Sequence, residues 1–266
     1  MSNTPEQQQI DHWLNNARYQ IERTWRLNRE GFHEKHGVSL QCVHTAVAGD
    51  HASLARAKFL NGDPIAEVRA EFANAARHIL KSFRMAYDET DPDYQGEKAD
   101  LSAVSETIAI RGFNHAFMAA DFDLAVELGR GYRDSPDGFS LGLDVNRYVN
   151  ALKSVVLDDL PQARGLLSAQ IDAYAAKPSK RNDYRKNYFT LSTALSGIAD
   201  TNEARFNEGL AAQLKIYQSY ARGEARNTDE EFICDHAVAL ANLGLRRGLA
   251  VTAEHPTLPR GLLIQP

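Results

Sequence analysis

Nine histidines, two cysteines and 35 carboxylates are the groups in this chain that can do acid–base, nucleophilic or metal chemistry, and their spacing decides which of these is open. His33-Glu-Lys-His36 resembles part of a zinc motif. Two imidazoles share one helix face at i and i+4; these stand at i and i+3 between Gly31 and Gly37, which reads as a solvated helix end. Glu30-Gly-Phe-His33 has the Glu-x-x-His spacing of carboxylate-bridged di-iron bundles. Those bundles need two such motifs and two further inward-facing Glu; the sequence has one, with a Gly inside it. Asp235-His236, beside Cys234, could form an Asp-oriented general base. No nucleophile accompanies it, so it reads as a buried polar pair that fixes the last helix against the tail or the preceding hairpin. His115 lies in an apolar helix and reads as a core histidine. There is no Gly-x-Ser-x-Gly elbow, phosphate-binding loop or dinucleotide fingerprint. Cys42 and Cys234 are far apart and read as buried free thiols on apolar helix faces, at home in a reducing compartment. The expectation is a protein without enzymatic activity, metal or cofactor.

Residues 88–100 are different in kind. Asp88, Glu89, Asp91, Asp93, Glu97 and Asp100 face a single Lys98, and Pro92 and Gly96 break any helix. Such a segment is either a solvated linker or a surface that steers a basic partner, since complementary charge raises association rate and specificity. Across the chain, 30 Lys and Arg against 35 Asp and Glu give a net charge of −5. That argues against a general binder of nucleic acid or anionic membranes, which needs a basic face. No run of 18 apolar residues exists to span a membrane. The start, MSNTPEQQQIDHW, lacks the basic and apolar regions of a signal peptide, so a cytoplasmic protein is expected.

The elements that carry these groups are helices. Apolar residues are 43% of the chain, enough for a sizeable core. Thr4-Pro5-Glu6 suits a helix start, and Ile10, Trp13, Leu14, Ala17, Ile21 and Trp25 repeat at helical spacing to about Glu30. A second helix covers Ser39–Leu60, with Gly49-Asp50 a possible interruption because Gly costs about 1 kcal/mol in a helix interior. Gly62 and Pro64 mark a stop and a restart. Ile65, Val68, Phe72, Ala76, Ile79, Phe83 and Tyr87 then form one apolar stripe. From Leu101 the helices come in pairs: 101–119 with 122–132, 143–158 with 160–176, and 181–198 with 202–222. Asp121, Asp159 and Asp200 stand at the turns of these pairs, 38 and 41 residues apart, each with an Ala four positions on. The Asp or its neighbour can accept from free N–H groups of the new helix, and the small Ala allows close approach. Spacings of about 34–45 residues belong to stacked helical hairpins. The connector 134–140 is turn-rich, and 177–186 adds a basic cluster around Lys177, Lys180, Arg181, Arg185 and Lys186. Tyr184, Tyr188, Tyr217 and Tyr220 read as inter-helix packing with wet hydroxyls. A last helix is expected over Asp229–Arg246, then an extended Leu249-Ala-Val-Thr-Ala and a Pro-stiffened tail.

The predicted class is therefore all-α: a single domain of about nine to eleven antiparallel helices in a TPR-like or α-solenoid-like array. It comprises an N-terminal unit (1–87), the acidic loop (88–100), the hairpins (101–248) and a short extended tail (249–266).

Glu231-Phe-Ile-Cys-Asp-His-Ala-Val-Ala-Leu-Ala-Asn-Leu-Gly-Leu-Arg-Arg-Gly-Leu-Ala-Val, followed by Pro256-Thr-Leu-Pro259 and Leu262-Leu263, resembles the immunity protein 49 family of bacterial toxin–immunity systems. So does the order of elements from Phe59-Leu-Asn-Gly-Asp-Pro64 onward, and the resemblance spans roughly residues 39–263. It implies an all-α inhibitor that binds and neutralises a cognate secreted toxin domain. The toxin would be a basic protein, and toxins of this class are often nucleases. The residues alone leave open a helical-repeat scaffold or peptide-binding regulator with no toxin partner.

Overall fold

A computed structural model of the chain describes residues 5–134 and 142–265. The expected cap Thr4 and the connector 135–140 lie outside the described residues. The described chain forms eleven α-helices: α1 (Gln7–Arg29), α2 (Phe32–Lys35), α3 (Leu40–Asn61), α4 (Ile65–Tyr87), α5 (Glu106–Met118), α6 (Phe122–Gly131), α7 (Leu143–Val156), α8 (Leu160–Ala176), α9 (Tyr184–Ala199), α10 (Glu203–Arg222) and α11 (Asp235–Arg246). No strand occurs among the described residues, and neighbouring helices pack in pairs, α3 with α4, α5 with α6, α7 with α8 and α9 with α10. The chain divides into two units, Met1–Ser140 and Leu141–Pro266.

In the first unit, Ile10, Leu14 and Ala17 of α1 pack on Leu54 and Ala57 of α3. The stripe on α4 is the centre of the unit: Val68, Phe72, Ala76, Ile79 and Phe83 are all buried, and α3, α5 and α6 pack around it. Gly49 does not interrupt α3. A Cβ there would lie 3.1 Å from the Arg111 guanidinium, so the glycine makes room for a side chain of α5. The acidic loop does not divide the chain as expected. Gln95 donates its backbone N–H to Met85 O at 2.7 Å, and the first hairpin, α5–α6, packs on α4. The boundary lies after that hairpin.

The repeated turn takes one form in three places. Ala120, Asp158 and Thr201 adopt left-handed backbone, φ 59°, 64° and 53°. The next residue's N–H returns to the carbonyl five positions back: Asp121 to Ala116 (2.9 Å), Asp159 to Ser154 (2.8 Å) and Asn202 to Gly197 (2.7 Å). This is a helix end closed by a left-handed residue, running straight into a new N-cap. Asp121 accepts from Leu124 N–H at 3.0 Å and Asp159 from Gln162 N–H at 3.2 Å. In the third copy the cap is Asn202, which accepts from Arg205 N–H at 3.0 Å. Asp200 stands two residues too early. It accepts instead from Arg164 of α8 at 2.8 Å and Arg205 of α10 at 3.1 Å, tying three helices together. The small residue four past the cap holds for Ala125 and Ala163, which are buried. Ala204 is exposed, because the shifted register places Phe206 there. Asp121→Ala is expected to cost about 1 kcal/mol, read by urea unfolding; unchanged stability would show that the first unit does not depend on this cap.

The close approach in the third hairpin comes from glycine. A Cβ on Gly197 would stand 2.3 Å from the Phe206 backbone N, and one on Gly209 2.3 Å from the Ala194 backbone N. Gly197 is thus a point of contact between α9 and α10.

The last helix starts six residues later than expected, at Asp235. A short 3-10 turn over Asp229–Phe232 precedes it. Between them Ile233 and Cys234 are extended, held by Cys234 N–H donating to Thr257 O at 2.8 Å. Cys234 is therefore a buried cap residue rather than part of a helix face. Tyr217 closes the same corner, donating to the carbonyls of Glu230 and Ile233.

The tail follows, with one short 3-10 turn over Arg260–Leu262, and is held by side chains. Asn242 of α11 donates to Leu262 O at 3.2 Å and accepts from Ile264 N–H at 2.9 Å. Asn207 of α10 donates to Ala250 O at 2.9 Å and accepts from Thr252 and Ala253 N–H at 2.8 and 3.2 Å. Arg260 donates to the carbonyls of Val251 and Ala253, and Glu203 accepts from Ala250 N–H at 2.8 Å.

Candidate functional site

Loop 88–100 is folded by its own acids. Lys81 on α4 reaches Asp91 at 2.6 Å and Asp93 at 2.7 Å, and the Asp91 side chain is only 7% exposed. Burial alone would raise the Asp91 pKa, but the Lys81 hydrogen bond and charge outweigh it and hold the carboxyl below its ordinary value. Asp88 accepts from the N–H and hydroxyl of Thr90 at 3.0 and 2.6 Å, and these bonds lower its pKa.

At the other end Asp100 is a hub. It accepts from the Ser102 hydroxyl (2.6 Å) and N–H (3.1 Å), the Ser39 hydroxyl (2.9 Å) and the Cys42 thiol (3.1 Å). The Ser102 bond leads the effects that draw its carboxyl down to about 2. Its own N–H donates to Gln41 at 2.6 Å, and Gln41 in turn donates to Ser82 O. Cys42 is pushed up in pKa by burial, so its thiol is a donor here rather than a nucleophile. Of the six acids, Asp91 and Asp100 are thus built into the loop's frame, Asp88 and Asp93 are partly engaged, and Glu89 and Glu97 stand exposed.

Beside this loop lies a histidine group that the sequence reading passed over. His44 and His51 are seven apart on α3 and so share a face; His78 meets them from α4. His44 Nδ1 and His78 Nδ1 are 2.8 Å apart. His51 stacks on His78 with ring centroids 5.4 Å apart and its Nδ1 lies 2.8 Å from Glu71 Oε2. Lys58 holds the other Glu71 oxygen at 3.0 Å. Trp25 of α1 meets both His44 and His78, at 5.2 and 5.7 Å. Burial, then the neighbouring imidazoles of His44 and His51, pushes His78 down to about 4. His44 is lowered by burial and by the nearby Lys81. Among the described residues no group of three His, Cys, Asp or Glu is arranged to hold a metal ion.

The motifs singled out by spacing are placed apart from this region and from one another. His33 and His36 approach backbone carbonyls of Thr24 and Phe32. His115 is buried against Phe72. Asp235 opens α11, and both it and His236 keep part of their surface in solvent. Burial pushes the His236 imidazole down to about 4. Asn242 of the same helix makes the two bonds to the tail described above. Tyr184 and Tyr188 meet edge to face at 4.8 Å, and Tyr220 donates to Glu230, as packing residues with satisfied hydroxyls do.

No helix of the described chain is long and apolar enough to cross a membrane. Compared with known proteins, the chain matches no family model, no curated protein and no solved structure.

Proposed function

We propose that this chain is an immunity protein that binds a cognate antibacterial toxin domain in the cytoplasm and neutralises it by occupying its surface, with no catalysis of its own. The observation that carries this reading is the framing of the acidic loop. Lys81 and Asp100 fix its two ends, and Glu89 and Glu97 project from that frame. A loop ordered before binding loses less conformational entropy on association, and exposed carboxylates on it complement a basic active-site cleft. The resemblance to the immunity protein 49 family over roughly residues 39–263 points the same way. A stable complex of this kind buries about 1,600 Å² in total, more than the loop alone supplies, so helix faces of the same unit join the contact.

Co-expression with the toxin encoded by the neighbouring gene tests the function. Rescue of growth, with both proteins eluting together on a sizing column, is expected. Continued killing without a complex overturns the proposal and leaves a scaffold that binds some other protein. Replacing Glu89 and Glu97 together by Lys tests the loop. The association rate should fall about tenfold or more at low salt, and by less at high salt, because exposed charges act on the encounter and are screened. An equal rate at both salt concentrations removes the loop from the interface and leaves the function standing.

A further inference from the structure

A close set of titratable side chains in the first unit is built on His44 and His78, and the proposed function makes no use of it. Two imidazoles joined Nδ1 to Nδ1 at 2.8 Å must differ in tautomer: one carries hydrogen on Nδ1 and donates, and the other carries it on Nε2 and accepts. A first extra proton has a place to go. It enters on the donor's Nε2, and the shared bond survives with charge assistance. A second proton has none, because the free position is the acceptor's Nδ1. Its arrival would set two N–H groups head to head and two cations within van der Waals reach. We propose that this pair is an acid-triggered latch, in which the second proton breaks the His44–His78 bond and parts α3 from α4 beside Trp25.

The surrounding charges give the second proton little help. From α4, Lys81 adds a cation facing His44. From the loop, Asp91 and Asp93 also face His44, and both already bind Lys81. From α3, His51 lies stacked on His78, and its carboxylate partner Glu71 is shared with Lys58. Asp50, next to His51 in sequence, is half-buried, and burial raises its carboxyl to about 6. α1 contributes the Trp25 ring, whose edge and face meet both imidazoles.

The sign follows from the same groups. Both imidazoles are held below the ordinary 6.5 in the closed state, so the opened state binds more protons. The closed state keeps its full stability above about 6.5 and loses it as pH falls toward about 4. The Glu71 carboxyl titrates lower: burial raises its pKa, but the His51 and Lys58 bonds outweigh this and hold it at about 2, so its loss is a separate event in stronger acid.

Trp13 and Trp25 are the only tryptophans, so the full-length Trp13→Phe chain has Trp25 as its single reporter. Its emission should shift to the red, reversibly, between pH 6.5 and 4, with the far-ultraviolet helical signal unchanged. In Trp13→Phe/His78→Gln the carboxamide can still donate to His44 but has no proton to gain, and the shift should vanish. A shift that persists in the Gln variant, or a shift that coincides with loss of helix, overturns the latch. Should the Gln variant fail to fold, imidazole proton resonances of the unaltered chain decide. Two coupled titrations below 6.5 support the proposal, and two independent ones at the ordinary value overturn it.

Discussion

Gly209→Ala is expected to destabilise the second unit by about 3 kcal/mol, against the helix propensity that favours the change. In an exposed helix interior, Gly to Ala gains about 1 kcal/mol. At position 209 the added Cβ would lie 2.3 Å from the Ala194 backbone N and 2.7 Å from its Cα. Those are backbone atoms of a packed helix, so no side-chain rotation relieves the overlap, and α9 and α10 must move apart. Overpacking a core costs about 1–3 kcal/mol, and a backbone collision belongs at the top of that range. Gly165 on α8 is the control. No heavy atom lies within 4 Å of its would-be Cβ, and Gly165→Ala should add up to about 1 kcal/mol. Urea unfolding of both variants checks the pair. A Gly209→Ala protein as stable as its parent would mean that the α9–α10 contact is looser than described here.

Asn242→Ala is the second large effect, and should cost about 3 kcal/mol. Asn242 is fully buried, and its carboxamide is what pairs the Leu262 carbonyl and the Ile264 N–H. Alanine strands both, and each unpaired buried polar group costs about 1–3 kcal/mol. The loss should appear as a lower urea midpoint and as faster hydrogen exchange at the Ile264 amide. Exchange at the parent's rate would show that other contacts hold the tail.

Much of the fold can be read from residue patterns, for identifiable reasons. The α4 stripe predicts its helix because apolar residues at helical spacing from Val68 to Phe83 leave one buried face; Ile65, at the start of the stripe, is exposed. Gly62 ends α3 in left-handed backbone, as a glycine before Asp-Pro suggests. Asp121 and Asp159 cap helices as their positions imply. What the patterns hide is mostly tertiary. The left-handed turn residues Ala120, Asp158 and Thr201 carry no glycine signal. The third hairpin therefore looked aligned on Asp200, when its cap is Asn202. Gly197 and Gly209 give no sign of their role until a facing backbone is placed against them. The acidic run is visible as composition, yet nothing in its sequence shows that Lys81, nearly two turns before the end of the preceding helix, neutralises two of its acids. The histidine group is legible only as the seven-residue spacing of His44 and His51; His78 joins it by the crossing of α3 and α4.

The side-chain bonds along Leu249–Ala253 have a consequence for how this molecule behaves in a crowd. Leu-Ala-Val-Thr-Ala is a strand-forming stretch in a chain with no described strand, and an unpaired extended edge is a template for intermolecular pairing. Here Asn207, Glu203 and Arg260 occupy the N–H groups of Ala250, Thr252 and Ala253 and the carbonyls of Ala250, Val251 and Ala253. The carboxamide, carboxylate and guanidinium groups take the place of a neighbouring strand, so these edge groups are already paired without belonging to any sheet.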